Sequence, residues 1–245
     1  MRRIALKVCL VGFVLIGLAI ASSFGLIRLA SAPPDYYAQI IAAESETDIQ
    51  ARHDRAEELV GDVVQMRNDI ANDPEWTLRF TDTSVNAWLA ENSLVDLIED
   101  FPVELTQPRF KFEAERLMLA FRWDGPPIAA VVSLSLRPKC VSSNELRIGV
   151  EKVRAGMLPM SGQRFQQDVI AYLKTAGLNA RWIVEDDLPT LCLTVQPSLQ
   201  SKSVELERIT VLDGEIRVSG KSNAEVNAKS IGDAAREISR LRRFR

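Results

Sequence analysis

The sequence predicts an α+β protein: an antiparallel β-sheet meander with packed helices, preceded by an N-terminal transmembrane helix and an acidic helix. Three observations predict it. From Val103 onward, apolar residues recur at every second position in runs joined by short turns, which is the period of strands with one buried face. Before and between those runs, apolar residues recur at spacings of three and four, the helical period. At the start, Val8 to Ile27 form twenty consecutive residues without a charge, bracketed by Lys7 and Arg28.

That first run is roughly 30 Å long at about 1.5 Å per helical residue, the thickness of a bilayer's hydrocarbon core. Arg2, Arg3 and Lys7 precede it and only Arg28 follows before acidic sequence, so the N-terminus is expected in the cytoplasm and the remainder outside. A cleaved signal peptide would have a shorter apolar region, and Pro33 after Ala30-Ser31-Ala32 disfavours cutting there. The resulting division is a cytoplasmic N-terminus at 1–7 and a signal-anchor span at 8–30. An acidic helix or stalk at 31–74, an α+β domain at 75–221 and a basic tail at 222–245 follow. The expected location is the cell membrane, single-pass, with the C-terminal domain outside the cytoplasm.

Pro33-Pro34 interrupts the helix leaving the membrane. Ile49, His53, Ala56, Val60, Val63, Arg67 and Ile70 then step by four and three, flanked by Leu59 and Met66, a heptad-like seam. Two readings stand: an amphipathic helix packed on its own domain, or a stalk that pairs as a homodimer. Asn72-Asp73-Pro74 ends it. Trp76 to Phe80 is extended, and Thr81 to Ser84 offer caps for a helix carrying Val85, Trp88, Leu89, Val95 and Ile98 on its apolar face. Here Trp88 reads as a core anchor, and the Asn86 amide beside it as a bond to a strand's backbone.

The meander follows. Phe110 and Phe112 alternate with Arg109, Lys111 and Glu113; then come Leu117, Leu119, Phe121 and Trp123, then Val132, Leu134 and Leu136, then Leu146, Ile148 and Val150. Such short connections favour antiparallel over parallel pairing. Gly156-Met157-Leu158-Pro159 leads to a helix with Phe165, Val169, Tyr172 and Ala176 on its apolar face. Ser161 is a cap for it and Gly177 a C′ residue. Gly156 reads as a positive-φ or close-approach position. Strands return at Trp182–Val184 and at Leu191, Leu193 and Val195, and Asp213-Gly214 closes a final hairpin.

Composition restricts function. Apolar residues are 47% and charged residues 26% of the chain, which is globular usage, and a net charge of −3 gives no reason to expect nucleic acid. Charge is uneven: ten acids against three arginines lie between Asp35 and Asp73, and six bases against three acids from Ser222 on. One histidine, with Cys140 and Cys192 outside the apolar run, cannot build a four-ligand structural zinc site. That pair either forms one disulfide or sits reduced as two small hydrophobes. No GxSxG, P-loop, GxGxxG or HExxH occurs. Glu185-Asp186-Asp187 reads as a solvated turn. The sequence therefore assigns no catalytic residue, no metal and no cofactor.

The order of motifs resembles a known family. An N-terminal span, FTDTSVNAWLA, a meander, VRAGMLPM, a helix, a Trp-bearing strand and DGEIRVSGKS are similar to the YpmS family of single-span bacterial proteins of unassigned function. Its first motif is matched by Thr83, Asn86, Trp88 and Leu89, and its second by Gly156, Leu158 and Pro159. The resemblance spans roughly Phe80 to Lys221; Cys140 and Cys192 depart from its pattern. The acidic helix and the PRFKF strand resemble uncharacterised planctomycete envelope proteins more closely. The layout of helix, long antiparallel strands and second helix also resembles half of a tubular lipid-binding (TULIP) module. That layout implies an apolar groove, for which Phe121, Trp123, Leu134, Leu136, Ile148 and Val150 are the candidate lining. The function expected is a non-enzymatic envelope module that binds lipid or another apolar ligand; the alternative is a scaffold that self-associates through the acidic helix.

Overall fold

The computed structural model describes residues 28–92, 105–125, 129–175, 177–194 and 204–222. The run Val8–Ile27, Val95, Ile98, Val195 and the arginine-rich tail lie outside the described residues. Among the described residues, no helix is long and apolar enough to cross a membrane.

After a helical turn at 28–31, helices α1 (Asp35–Glu46) and α2 (Ile49–Asn72) lead into strand β1 (Glu75–Thr81) and helix α3 (Asp82–Glu91). The meander follows as β2 (Leu105–Glu113), β3 (Arg116–Trp123), β4 (Ala130–Ser142), β5 (Glu145–Ala155) and the two-residue β6 (Leu158–Pro159). Helix α4 (Gln163–Thr175) precedes the hairpin β7 (Asn179–Glu185) and β8 (Leu188–Thr194), and β9 (Val204–Leu212) and β10 (Glu215–Ser222) close the fold. The expected caps are used. The Ser84 N–H donates to Thr81 Oγ1 at 3.1 Å, and Gly177 holds φ +75° while the Leu178 N–H returns to the Leu173 carbonyl at 2.8 Å.

Every pairing among the described strands is antiparallel, but the strands form two sheets where the sequence predicts one meander. Seven strands make the larger, in the order β2-β3-β4-β5-β8-β7 with β6 on β5. The smaller has the order β1-β10-β9: the first strand pairs with the last, Trp76 opposite Gly220 and Phe80 opposite Ile216. Two hairpin tips of the large sheet bond to β9, the Glu115 N–H to the Val211 carbonyl at 3.0 Å and the Asn144 N–H to the Leu206 carbonyl at 3.1 Å.

The two faces of the large sheet differ in chemistry. One carries Arg116, Arg137 and Glu151 in one ion-pair network and Lys139, Glu185, Arg147 and Glu145 in another. Helix α1 docks on this polar face, where Tyr37 covers Ala120 and Val131, and its hydroxyl donates to the Gln107 carbonyl at 3.1 Å. Arg109, an outward-facing residue by alternation, is buried there and donates to Glu44 at 2.7 Å. The opposite face is apolar. Helix α4 packs over its β7–β8 end through Val169, Ile170 and Leu173. The side chains of Phe165 and Tyr172, and residue Ala176, lie outside the described set.

Helix α2 packs on its own domain, against α3 and the small sheet, where Met66 and Ile70 meet Trp76, Val204 and Leu206. Its buried face is turned by roughly 60° from the expected seam, at 100° per residue. Ala56 and Leu59 are buried, whereas Ile49, Val60 and Val64 are exposed.

Candidate functional site

Register alone places the six candidate lining residues on one face. Phe121 is paired with Val132 and Leu134 with Leu119 and Val153. Leu136 is paired with Leu117 and Val150, Ile148 with Leu191, and Trp123 with Leu105 and Ala130. Ile148 belongs to a filled core, under α4 with Leu191 and Leu193. The other five do not. Phe121, Trp123, Leu134, Leu136 and Val150 are each half-buried, and none belongs to a buried cluster among the described residues. Phe110, Leu117, Leu119 and Val153 extend this stretch at the same intermediate burial, while Phe112 and Val132, paired with Leu117 and Phe121 on this face, are buried. Such a surface offers no nucleophile or proton donor; its chemistry is apolar contact.

Asn86 closes the edge of this sheet. Its Oδ1 accepts the Phe110 N–H at 2.8 Å and its Nδ2 donates to the Phe110 carbonyl at 2.7 Å. One turn earlier, Asp82 accepts the Phe112 N–H at 3.4 Å, and Asp213, from the β9–β10 turn, accepts the Ala114 N–H at 3.0 Å. The match is geometric: four helical residues advance about 6 Å and two strand residues about 6.8 Å. Three side chains thus satisfy the N–H groups of Phe110 and Phe112 in β2 and of Ala114 just past its end, which shields an edge that would otherwise recruit another strand. Burial raises the Asp82 carboxyl above its ordinary range, and the bond from Phe112 only partly offsets this. Trp88 is half-buried and is not the core anchor; Ala87 and Leu89 on the same helix are buried instead.

Gly156 holds φ +57° against the chain at 28–31, and Pro159 is exposed on β6. Cys140 and Cys192 are both free. Register separates them: Cys140 is opposite Leu146, on the apolar face, while Cys192 is opposite Arg147 and Arg181, on the polar one. A disulfide would have to pass through the sheet. Burial raises the Cys140 thiol pKa. His53 bridges α2 to α3, with Nδ1 3.0 Å from Glu91 and Nε2 3.4 Å from Glu57. Asp186 and Asp187 form the β7–β8 turn at positive φ, and Glu185 is engaged by Lys139 and Arg147.

A cleft of about 300 Å³ between α1, α2, α3 and β2 was not legible in the sequence. Tyr36, Arg52, Arg55, Asp82 and Lys111 line it, and Glu44 reaches it from its pair with Arg109. The Tyr36 hydroxyl is buried without a hydrogen-bond partner, and burial pushes its pKa up. Its residues come from four separate elements, so no local spacing marks it. Comparisons with protein-family models, curated proteins and solved structures return no match for this chain.

Proposed function

We propose that the protein is a membrane-tethered, non-enzymatic module that seats an apolar chain, such as a lipid acyl chain, on the apolar face of its larger sheet. One observation carries this reading: Phe121, Trp123, Leu134, Leu136 and Val150 form a contiguous surface by register yet join no buried cluster among the described residues. Contiguous half-buried apolar surface of this kind marks a binding site more often than scattered exposed residues do. The charged networks on the opposite face and the uncharged run at Val8–Ile27 agree with it. The first gives the sheet one charged side, and the second keeps the other side near lipid. The YpmS-like motif order agrees with the single-span tether, and the TULIP-like layout with an apolar groove.

Photo-cross-linking tests it. Full-length protein is exposed to vesicles containing a phospholipid with a diazirine on its acyl chain, irradiated, and mapped by peptide mass spectrometry. Adducts on the β3 and β4 peptides, lost in a folded Leu134→Arg variant, are the expected result. Labelling confined to the N-terminal run would refute the reading.

A scaffold that self-associates through α2 is favoured by one observation, the exposed stripe of Ile49, Val60 and Val64 on its outer face. Oxidative trapping of a dimer through Val60→Cys would support it, and strictly monomeric protein would dismiss it.

A further inference from the structure

The uncharged run ends at Ile27, and the helical turn at 28–31 that follows is docked on the large sheet. The Met157 N–H donates to the Leu29 carbonyl at 2.9 Å, and the Ser31 hydroxyl donates to the Ala129 carbonyl at 3.4 Å. Gly156 makes this approach feasible. A Cβ there would lie 2.3 Å from the Leu29 carbonyl oxygen and 2.4 Å from that of Ala30, so any larger residue would lift the turn off the sheet. The turn therefore sets Arg28 and Leu29, the residues that follow the apolar run in sequence, at one end of the sheet, where β3 stops, β4 begins and β5 turns into β6.

The same end bears exposed apolar side chains. Leu29 is 41% exposed and Met157 is 62% exposed, and they are adjacent through the hydrogen bond between their backbones. Trp123, the last residue of β3, stands at this end with Gly125 pressed against its indole. Arg28, next to Leu29, and Arg154, opposite Pro159, are exposed at this end and make no ion pair among the described residues. Bare apolar side chains, an indole and exposed cations beside the end of a membrane-length run match one partner, the interfacial layer of the bilayer that the run enters.

We propose that Leu29 and Met157 rest in this interface. The docking of residues 28–31 on Gly156 then holds the domain with the Trp123 end of its apolar sheet face directed at the membrane. This rests on reading Val8–Ile27 as a span. It adds the orientation, and with it the source of the ligand: an acyl chain enters from the bilayer that tethers the protein. The opposite end of β5 is roughly 33 Å away at about 3.3 Å per residue, so the β4–β5 turn stands clear of the lipid.

The test compares a probe at each end of that hairpin. An environment-sensitive fluorophore is attached at Met157→Cys or at Val141→Cys in full-length protein whose native cysteines are replaced by alanine, with folding checked by circular dichroism. Each protein is reconstituted into vesicles of equal parts phosphatidylethanolamine and phosphatidylglycerol, floated on a gradient, and quenched with brominated lipid. The expected result is several-fold stronger quenching and a blue-shifted emission at position 157, with position 141 as in water. Gly156→Val is expected to float equally well but to lose the difference between the two positions. A floated protein whose position 157 remains in water overturns the orientation while leaving the span intact. A protein that does not float overturns the span itself, and the orientation with it.

Discussion

Asn86 offers the sharpest test of how the helical layer is held to the sheet. Its side chain is 5% exposed and makes both backbone bonds that an added strand would make to Phe110. Truncation to alanine removes two neutral hydrogen bonds, worth about 1 kcal/mol each, and strands a buried donor and acceptor. A loss of about 2–4 kcal/mol follows, read as a lower urea midpoint at unchanged slope. Asn86→Asp is more discriminating. A protonated aspartic acid reproduces the amide, with its O–H donating to the Phe110 carbonyl and its other oxygen accepting the N–H. The ionised form loses the donor and turns a lone pair on that carbonyl. The folded state therefore raises this carboxyl's pKa, so the variant's stability is fully present below the unfolded value of about 3.9 and lost as pH rises through the folded one. A deficit of about 3 kcal/mol at neutral pH corresponds to a folded pKa near 6, at about 1.4 kcal/mol per unit. The difference from wild type, measured by urea titration across this range, should shrink as pH falls. A constant difference would refute the amide's role as a strand substitute.

Three further outcomes are expected. Gly220→Ala places a Cβ 2.0 Å from the Glu205 carbonyl oxygen and 2.4 Å from the Trp76 ring, so calorimetry should show destabilisation of about 3 kcal/mol or more. The hydrogen bond from Lys139 and the neighbouring Arg147 hold the Glu185 carboxyl below its usual range. Its contribution to stability is present above the ordinary carboxylate pKa and is lost as pH falls through the folded value. Glu185→Gln should therefore show a shallower acid-side loss in thermal melts, and a slope equal to wild type would count against the network. Reductant should leave the melting temperature unchanged, and a maleimide should modify Cys140 in the folded protein but Cys192, which is buried, only after unfolding. A reductant-sensitive melt would contradict the register.

Local period determined most of the elements. Alternation between Phe110 and Val150 placed four strands, and because side-chain direction repeats every two residues it also put Phe121, Leu134 and Ile148 on one face. Thr81, Gly177 and Asp213-Gly214 marked their boundaries because caps and tight turns are decided within a few residues. Tertiary structure decided what those faces meet. Pairing of β1 with β10 joins residues far apart in sequence, and no local signal distinguishes it from continuation of the meander. Arg109 looked solvent-facing until Glu44 arrived from another helix to pair with it, since the cost of burying a charge depends on its partner. The two cysteines were compatible with a bridge until register set them on opposite faces. Most consequentially, the sequence could show an apolar sheet face but not whether it was filled. Among the described residues helix α4 packs on the Ile148 end, and the half-buried residues from Phe121 to Val150 follow from where the helices came to rest.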